Sequence, residues 1–430
     1  MTEATARAPY RMLDRESLID LLEAMQDIAA LLGGDPRKWR VVEVGDGNLN
    51  LVFIVEGQRG SVCVKQALPY VRAAGPSWPM SLDRAYYENS YYRAVAPHVG
   101  RLVPAIYRYD ADMQFTVMER LSPHIILRHG LIAGQRYPNL AKDVGEYVAR
   151  ACFLTSDFAV AFESKMDAMA LFTGNKSLIR ISVDLIFTEP YRFAERNRHT
   201  SPQLDGVVAD MRRDGALKTA VSGFGWKFLN EPQALIHGDL HSGSLMVTDS
   251  DTRIIDPEFA FYGPIGFDLG AFFGNLLLSW YSQPGHATTG DSRAGYQAWI
   301  TEQLIAFWSA FQARFLALWR EHAKGDAYPS SLFSGPADGT SLEAARRTFL
   351  EGLFADMVGF AACKMIRRIL GFAHVIDFES IHDADVRARC ESAALSMARL
   401  MLTQPQRFRC AEDVVEAVSG AAALAGTGTR

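Results

Sequence analysis

The chain has 430 residues, of which 49% are hydrophobic, 22% charged and 11% aromatic; that apolar content excludes bulk disorder, and that length can bury a large core without staples. Its formal net charge of −5 is too mild for an electrostatic nucleic-acid binder. Cys63, Cys152, Cys363, Cys390 and Cys410 are odd in number and lack any CxxC spacing, which points to reduced thiols in a cytoplasmic protein; no apolar signal-peptide segment is visible, and no apolar run is long enough to span a membrane.

In chain order, the first expected element is a helix. Asp14 is its N-cap, Leu18, Leu21, Leu22, Met25, Ile28, Ala29 and Leu32 recur at helical spacing, and Gly33-Gly34 ends it. The period then changes to that of strands over Trp39 to Val44, Leu51 to Val55 and Ser61 to Lys65, an antiparallel meander whose first turn is the polar Gly45-Asp46-Gly47-Asn48-Leu49-Asn50. A Gly- and Pro-rich stretch around Trp78 precedes a helix starting after Ser81, and two more strands are expected near Leu102 to Tyr107 and Gln114 to Met118. Long helical patterns follow at about 139–160, 267–280, 292–323, 342–374 and 384–403, interrupted by a hairpin of short apolar runs between Ala234 and Ile255. Ser419 to Arg430 are small residues expected to fray. A strand-rich lobe (1–121) before a larger helical one (122–430) makes the class α+β.

The segment richest in chemistry is His237-Gly238-Asp239-Leu240-His241-Ser242-Gly243-Ser244, with Ile254-Ile255-Asp256-Pro257-Glu258 after it. Both place carboxylates at the tips of short strands, where a scaffold can hold them rigidly. Phosphoryl transfer needs one carboxylate to orient the attacking hydroxyl and others to hold Mg²⁺ against phosphates. The plainer reading is that Asp239 and Asp256 are turn residues. A zincin-like metal site is disfavoured, because His237 and His241 are four apart on a loop and not on a helix.

These two runs resemble the catalytic and metal loops of the protein-kinase-like small-molecule phosphotransferases. Together with Gly45 to Asn50, Ser77-Trp78-Pro79-Met80 and Asp256 to Pro264, they resemble more narrowly the 5-methylthioribose kinases, in matching stretches from about residue 39 to 375. The resemblance implies a bilobed kinase-like fold binding ATP and Mg²⁺, and phosphorylation of the 1-hydroxyl of 5-methylthioribose in methionine salvage. It makes Asp239 the base, and Asp256 and Glu258 the Mg²⁺ ligands. The loop of Gly45, Asp46, Gly47 and Asn48 would cover the phosphates and Lys65 would neutralise them. Glu88, 23 residues on, could pair with Lys65 or simply be solvated. Glu119, Arg120 and Leu121 fall where a kinase hinge meets adenine, and Pro257 lies between the two metal acids. Ser244 stands five residues after Asp239, where many kinases carry a metal-binding Asn; as a weaker ligand it leaves Mg²⁺ to lean on Asp256 and Glu258.

Arg367-Arg368 sit in a helix that is apolar on nearly all sides, where an unpaired charge is very costly. They could form a structural ion pair, but the resemblance makes them sugar and phosphoryl binders. Trp78 is either a lid residue or a core anchor. A homodimer is also implied. The alternatives are a related aminoglycoside or choline kinase, which twin arginines argue against because those acceptors are cationic, and an inactive nucleotide-binding module.

Overall fold

The computed structural model describes residues 10–45, 49–72, 75–335 and 338–426. The chain divides into two compact units, 1–124 with 255–260, and 125–254 with 261–430.

In the first unit, α1 (Arg15–Ala24) begins at the expected cap: the Asp14 carboxylate accepts the Ser17 amide at 2.9 Å, and the Ser17 hydroxyl accepts the Asp14 amide at 3.0 Å. The single helix expected here is two. Met25 is extended (φ −88°, ψ 94°) and separates α1 from α2 (Gln26–Leu32); the hydrophobic spacing continues across the break, so the pattern reads as one helix. Gly33 and Gly34 end α2 with φ of 64° and 76°, a region that favours glycine.

Strands β1 (Arg40–Val44), β2 (Asn50–Glu56) and β3 (Ser61–Ala67) form the meander. Helix α3 (Arg84–Val99) follows, then β4 (Ile106–Asp110) and β5 (Phe115–Glu119). Leu102 belongs to a short 3-10 turn, so β4 starts later than expected. The sheet is antiparallel in the order β1-β2-β3-β5-β4. One face, with Phe53, Val55, Val62, Val64, Phe115 and Val117, packs with Leu18, Leu22, Ile28 and Leu32 of α1 and α2. Strand alternation sends Cys63, Lys65 and Thr116 to the other face, where the Asn89 amide of α3 donates to the Thr116 hydroxyl at 2.5 Å.

The second unit is mostly helical. It opens with β6 (Ile125–Ile126), α4 (Leu127–Ala133) and α5 (Leu140–Leu154). Four helices absent from the expected pattern follow: α6 (Phe162–Phe172), α7 (Lys176–Ser182), α8 (Asp205–Arg213) and α9 (Gly215–Asn230), with a π-helical turn over Val183–Thr188. They are short or weakly patterned, which is why periodicity misses them. Strands β7 (Ala234–Ile236), β8 (Leu245–Val247), β9 (Thr252–Ile254) and β10 (Phe261–Gly263) come next. The hairpin expected over 234–255 is only β8–β9, which β6 joins; β7 pairs with β10 instead.

The remaining helices are α10 (Ile265–Ser282), α11 (Ala294–His322), α12 (Asp338–Leu370), α13 (Ile376–Glu379), α14 (Ala384–Thr403) and α15 (Ala411–Gly426). The alanine-rich stretch from Ser419 continues α15 to Gly426, as alanine's helix propensity allows; the rest of the segment expected to fray lies outside the described residues. Buried α10 and α12 touch backbone to backbone. A Cβ on Gly270 would meet the Ala361 amide nitrogen at 2.6 Å, and one on Gly274 the Ala361 carbonyl oxygen at 2.8 Å. This contact fixes α12, which carries Lys364, Arg367 and Arg368, against α10, which carries Asp268. No helix among the described residues is long and apolar enough to cross a membrane.

Candidate active site

Two clusters of charged side chains, one in each unit, contain most of the residues singled out in the sequence. In the first unit, Lys65 is no exposed strand end: its side chain is 11% exposed, its Nζ lies 2.9 Å from Glu88 Oε1, and it also bonds Asp256 Oδ1. Glu88 is buried, so it is not a solvated helix charge. Arg84, one turn earlier on α3 and also buried, ties the cluster to its surroundings. It donates to the carbonyls of Ser81 (2.7 Å) and Leu49 and to Asn50 Oδ1 (3.2 Å), and its Nε is 3.4 Å from Glu258 Oε2. The Asn50 amide donates to the same Glu258 oxygen at 3.0 Å.

Glu88, Asp256 and Glu258 bring ligand oxygens within 4.8 Å of one another. Burial raises the Glu88 pKa to about 7 against the pull of Lys65, and burial with the Asp256 charge raises Glu258. Burial opposes the Lys65 charge as well, but Asp256 and Glu88 outweigh it and hold its pKa well above the usual value. Three clustered carboxylates, two of them buried and opposed in their ionisation, suit a hard divalent cation with oxygen ligands. Asp256 itself has φ of +70°, and its amide donates to the Tyr92 hydroxyl at 3.2 Å.

Other expected contributors lie nearby in sequence with plainer surroundings. Gly45 follows β1, while Asp46, Gly47 and Asn48 lie outside the described residues. The Glu119 carboxylate accepts the Ala105 amide at 3.0 Å, Arg120 pairs with Glu56, and Leu121 is half-buried. Pro257 is buried. Trp78 is half-buried; its amide donates to the Gly75 carbonyl at 3.1 Å and its own carbonyl accepts the Val71 amide at 3.0 Å.

In the second unit, the loop after β7 is held from beneath by Asp268. Its buried carboxylate accepts the amides of His237 at 2.6 Å and Gly238 at 3.0 Å, and Gly238 has φ of 82°. The Ser244 hydroxyl donates to the Asp239 carbonyl at 2.8 Å and so braces the loop.

The Asp239 carboxylate meets three side chains. Lys364 Nζ donates to Oδ1 at 2.9 Å, while His241 Nε2 lies 3.2 Å and Arg368 Nη2 3.8 Å from Oδ2. The His241 tautomer follows from its other nitrogen: Nδ1 accepts the Gly243 amide at 2.9 Å and has the Arg128 guanidinium at 3.4 Å, so Nε2 carries the proton toward Asp239. Burial pushes the His241 pKa down to about 3, so the ring is neutral at physiological pH. Burial works against the Asp239 charge too, but Lys364, His241 and Arg368 overcome it and hold the carboxyl well below the usual range. Arg367 and Arg368 both point a nitrogen at the Ala373 carbonyl, at 3.5 and 3.2 Å. Among the described residues, Asp239 is the one carboxylate within ion-pair distance of either arginine.

The phosphotransferase enzyme family model matches residues 40–322. A methylthioribose kinase of Escherichia coli O45:K1 is 43% identical over 408 residues, covering 95% of this chain and 97% of that protein. The chain belongs to the methylthioribose kinase family. Methylthioribose kinase 1 of Oryza sativa subsp. japonica is likewise 43% identical, covering 94% of each chain. Among solved structures, an ethanolamine kinase of Plasmodium vivax covers 93% of this chain and all of its own at 12% identity and a TM-score of 0.46.

For this member of the methylthioribose kinase family, sequence reasoning missed Lys364, Arg84, Arg128 and Asp268. Lys364 had a signal: it is the lone lysine of an otherwise apolar helical run and stands four residues before Arg368, on the same face. Arg84 and Arg128 had none, because an arginine near a helix start usually reaches solvent.

Proposed function

We propose that this chain transfers the γ-phosphoryl of ATP to the 1-hydroxyl of 5-methylthioribose, giving the 1-phosphate and ADP. In this reading the first unit serves the nucleotide and the second the acceptor. Asp256 and Glu258, with Glu88 behind them, would hold Mg²⁺, which when bound offsets the charge of the phosphate oxygens. Lys65 supplies a fixed positive charge to the phosphates, Gly45 to Asn48 cover them, and backbone groups of Glu119 to Leu121 meet adenine. Asp239, ionised and a fifth exposed, orients the acceptor hydroxyl and accepts its proton. Arg367 and Arg368 bind sugar and phosphoryl oxygens.

The observation that carries the reading is the setting of Asp239: a single carboxylate among Lys364, Arg367 and Arg368. Such a setting favours an anionic transferring group and disfavours cationic acceptors such as choline or aminoglycosides. The test is ADP release with a panel of 5-methylthioribose, choline, ethanolamine and an aminoglycoside. Turnover confined to the thiosugar is expected; preference for a cationic acceptor refutes the reading. The reading includes a cytoplasmic homodimer, whose mass light scattering on the pure chain measures.

A further inference from the structure

Lys364 is a buried cation that, unlike Arg367 and Arg368, has no contact with sugar or phosphoryl oxygens assigned to it. Its side chain is 4% exposed, its Nζ is 2.9 Å from Asp239 Oδ1, and the same ammonium lies 4.3 Å from the centroid of the Phe267 ring. An aromatic face and one carboxylate are its close neighbours. A buried ammonium is costly without a partner, so the contact with Asp239 is what the site keeps it for.

We propose that Lys364 is a positioning residue for Asp239, holding Oδ1 so that the carboxylate keeps one orientation toward the acceptor hydroxyl. This rests on the reading of Asp239 as the base. The two oxygens are held unequally. Oδ1 takes the ammonium at 2.9 Å, whereas Oδ2 has the neutral His241 N–H at 3.2 Å and Arg368 at 3.8 Å, so among the described residues Lys364 is the contact that fixes Oδ1.

Asp239 is also faced by His237 and His241 of its own loop, by Arg128 of α4 through His241, and by Asp268 of α10 through the loop amides. From α12 come Arg367 and Arg368 besides Lys364, while Asp377 of α13 faces Arg128 at 3.3 Å. Among these groups Lys364 makes the closest cationic contact with the carboxylate, and its charge is the largest influence favouring the ionised form once burial has opposed it.

The test labels the intact protein with [4-¹³C]aspartate and assigns the Asp239 signal by its loss in Asp239→Asn. The expected result is that Lys364→Met raises the Asp239 titration midpoint by about one pH unit or more, in line with the effect of a nearby opposite charge. The acid limb of the kcat profile should move up with it, and kcat at neutral pH should fall on the order of tenfold or more, with KM for ATP within about twofold of wild type. Lys364→Arg should restore the midpoint. If Lys364→Met does not fold, Lys364→Gln carries the same test. A folded neutral variant with an unmoved midpoint and acid limb overturns the proposal, even if kcat falls. The carboxyl titration needs no acceptor, so failure of the wild type to phosphorylate 5-methylthioribose would refute the substrate reading and leave the role of Lys364 to be decided by the NMR midpoint.

Discussion

The two charged clusters are opposites. Around Lys65, three carboxylates outnumber two cations, and burial pushes Glu88 and Glu258 up toward their neutral forms. Around Asp239 the balance reverses: one carboxylate faces Lys364, Arg367 and Arg368, and its pKa is driven down. One cluster is short of positive charge and the other has it in excess. A kinase needs both, since a metal must be drawn to one place and a phosphoryl group, losing its leaving oxygen, to another.

The harshest test of this contrast removes the single anion of the cationic cluster. Asp239→Asn should lower turnover by about 10²–10⁴-fold while ATP affinity, measured by calorimetry, is largely kept. Retention of more than about a tenth of wild-type turnover would mean the base lies elsewhere.

Thinning the anionic cluster should act on the metal instead. Asp256→Asn should weaken the Mg²⁺ dependence of nucleotide binding by roughly 10- to 100-fold, the worth of one charge-assisted contact. Glu258→Gln should act in the same direction. ATP affinities that respond to Mg²⁺ as in wild type would remove Asp256 from the ligand set.

Changing the fork but not the charge sharpens the comparison further. Arg367→Lys or Arg368→Lys should depress kcat/KM for 5-methylthioribose by roughly 10-fold, because only arginine offers bidentate contacts, and the melting temperature should hold. A lowered melting temperature with unchanged kinetics would make the pair structural.

The smallest effect concerns acid stability. Burial pushes the His241 pKa down to about 3 in the folded chain from an ordinary 6.5, so between these values the unfolded chain binds more protons than the folded one. Stability is therefore complete above the upper value and falls as pH drops through the window, with a slope of at most about 1.4 kcal/mol per pH unit from this group. His241→Gln keeps a donor toward Asp239 without titrating, and should flatten that part of a melting-temperature series from pH 7 to 4. An identical slope would mean the ring does not titrate as its burial demands.

Legibility in the sequence followed locality. The sheet was readable because β2 is a short apolar run and β3 an adjacent one bounded by polar turns, and alternation along β3 put Lys65 opposite Val62 and Val64. Asp239 and Asp256 were readable because their loops are short and carry several polar residues in a row. The break at Met25 was not, since hydrophobic spacing runs through it, nor was the pairing of β7 with β10, which skips the intervening hairpin. Arg84 and Lys364 act over sequence separations of 174 to Glu258 and 125 to Asp239, and no local pattern encodes a partner that far away.

The backbone at Asp256 has a consequence for engineering. A non-glycine residue at φ of +70° sits in the left-handed region, which costs an L-residue roughly 1–2 kcal/mol, less for Asp, whose short side chain tolerates it. Glycine there would relax the chain and also remove one of three mutually repelling acids. Because the same change also takes from Lys65 one of its two carboxylate partners, relaxed backbone and lost ion pair oppose each other at this one position, which makes this loop the place where a screen for thermal tolerance and a screen for turnover would weigh a substitution differently.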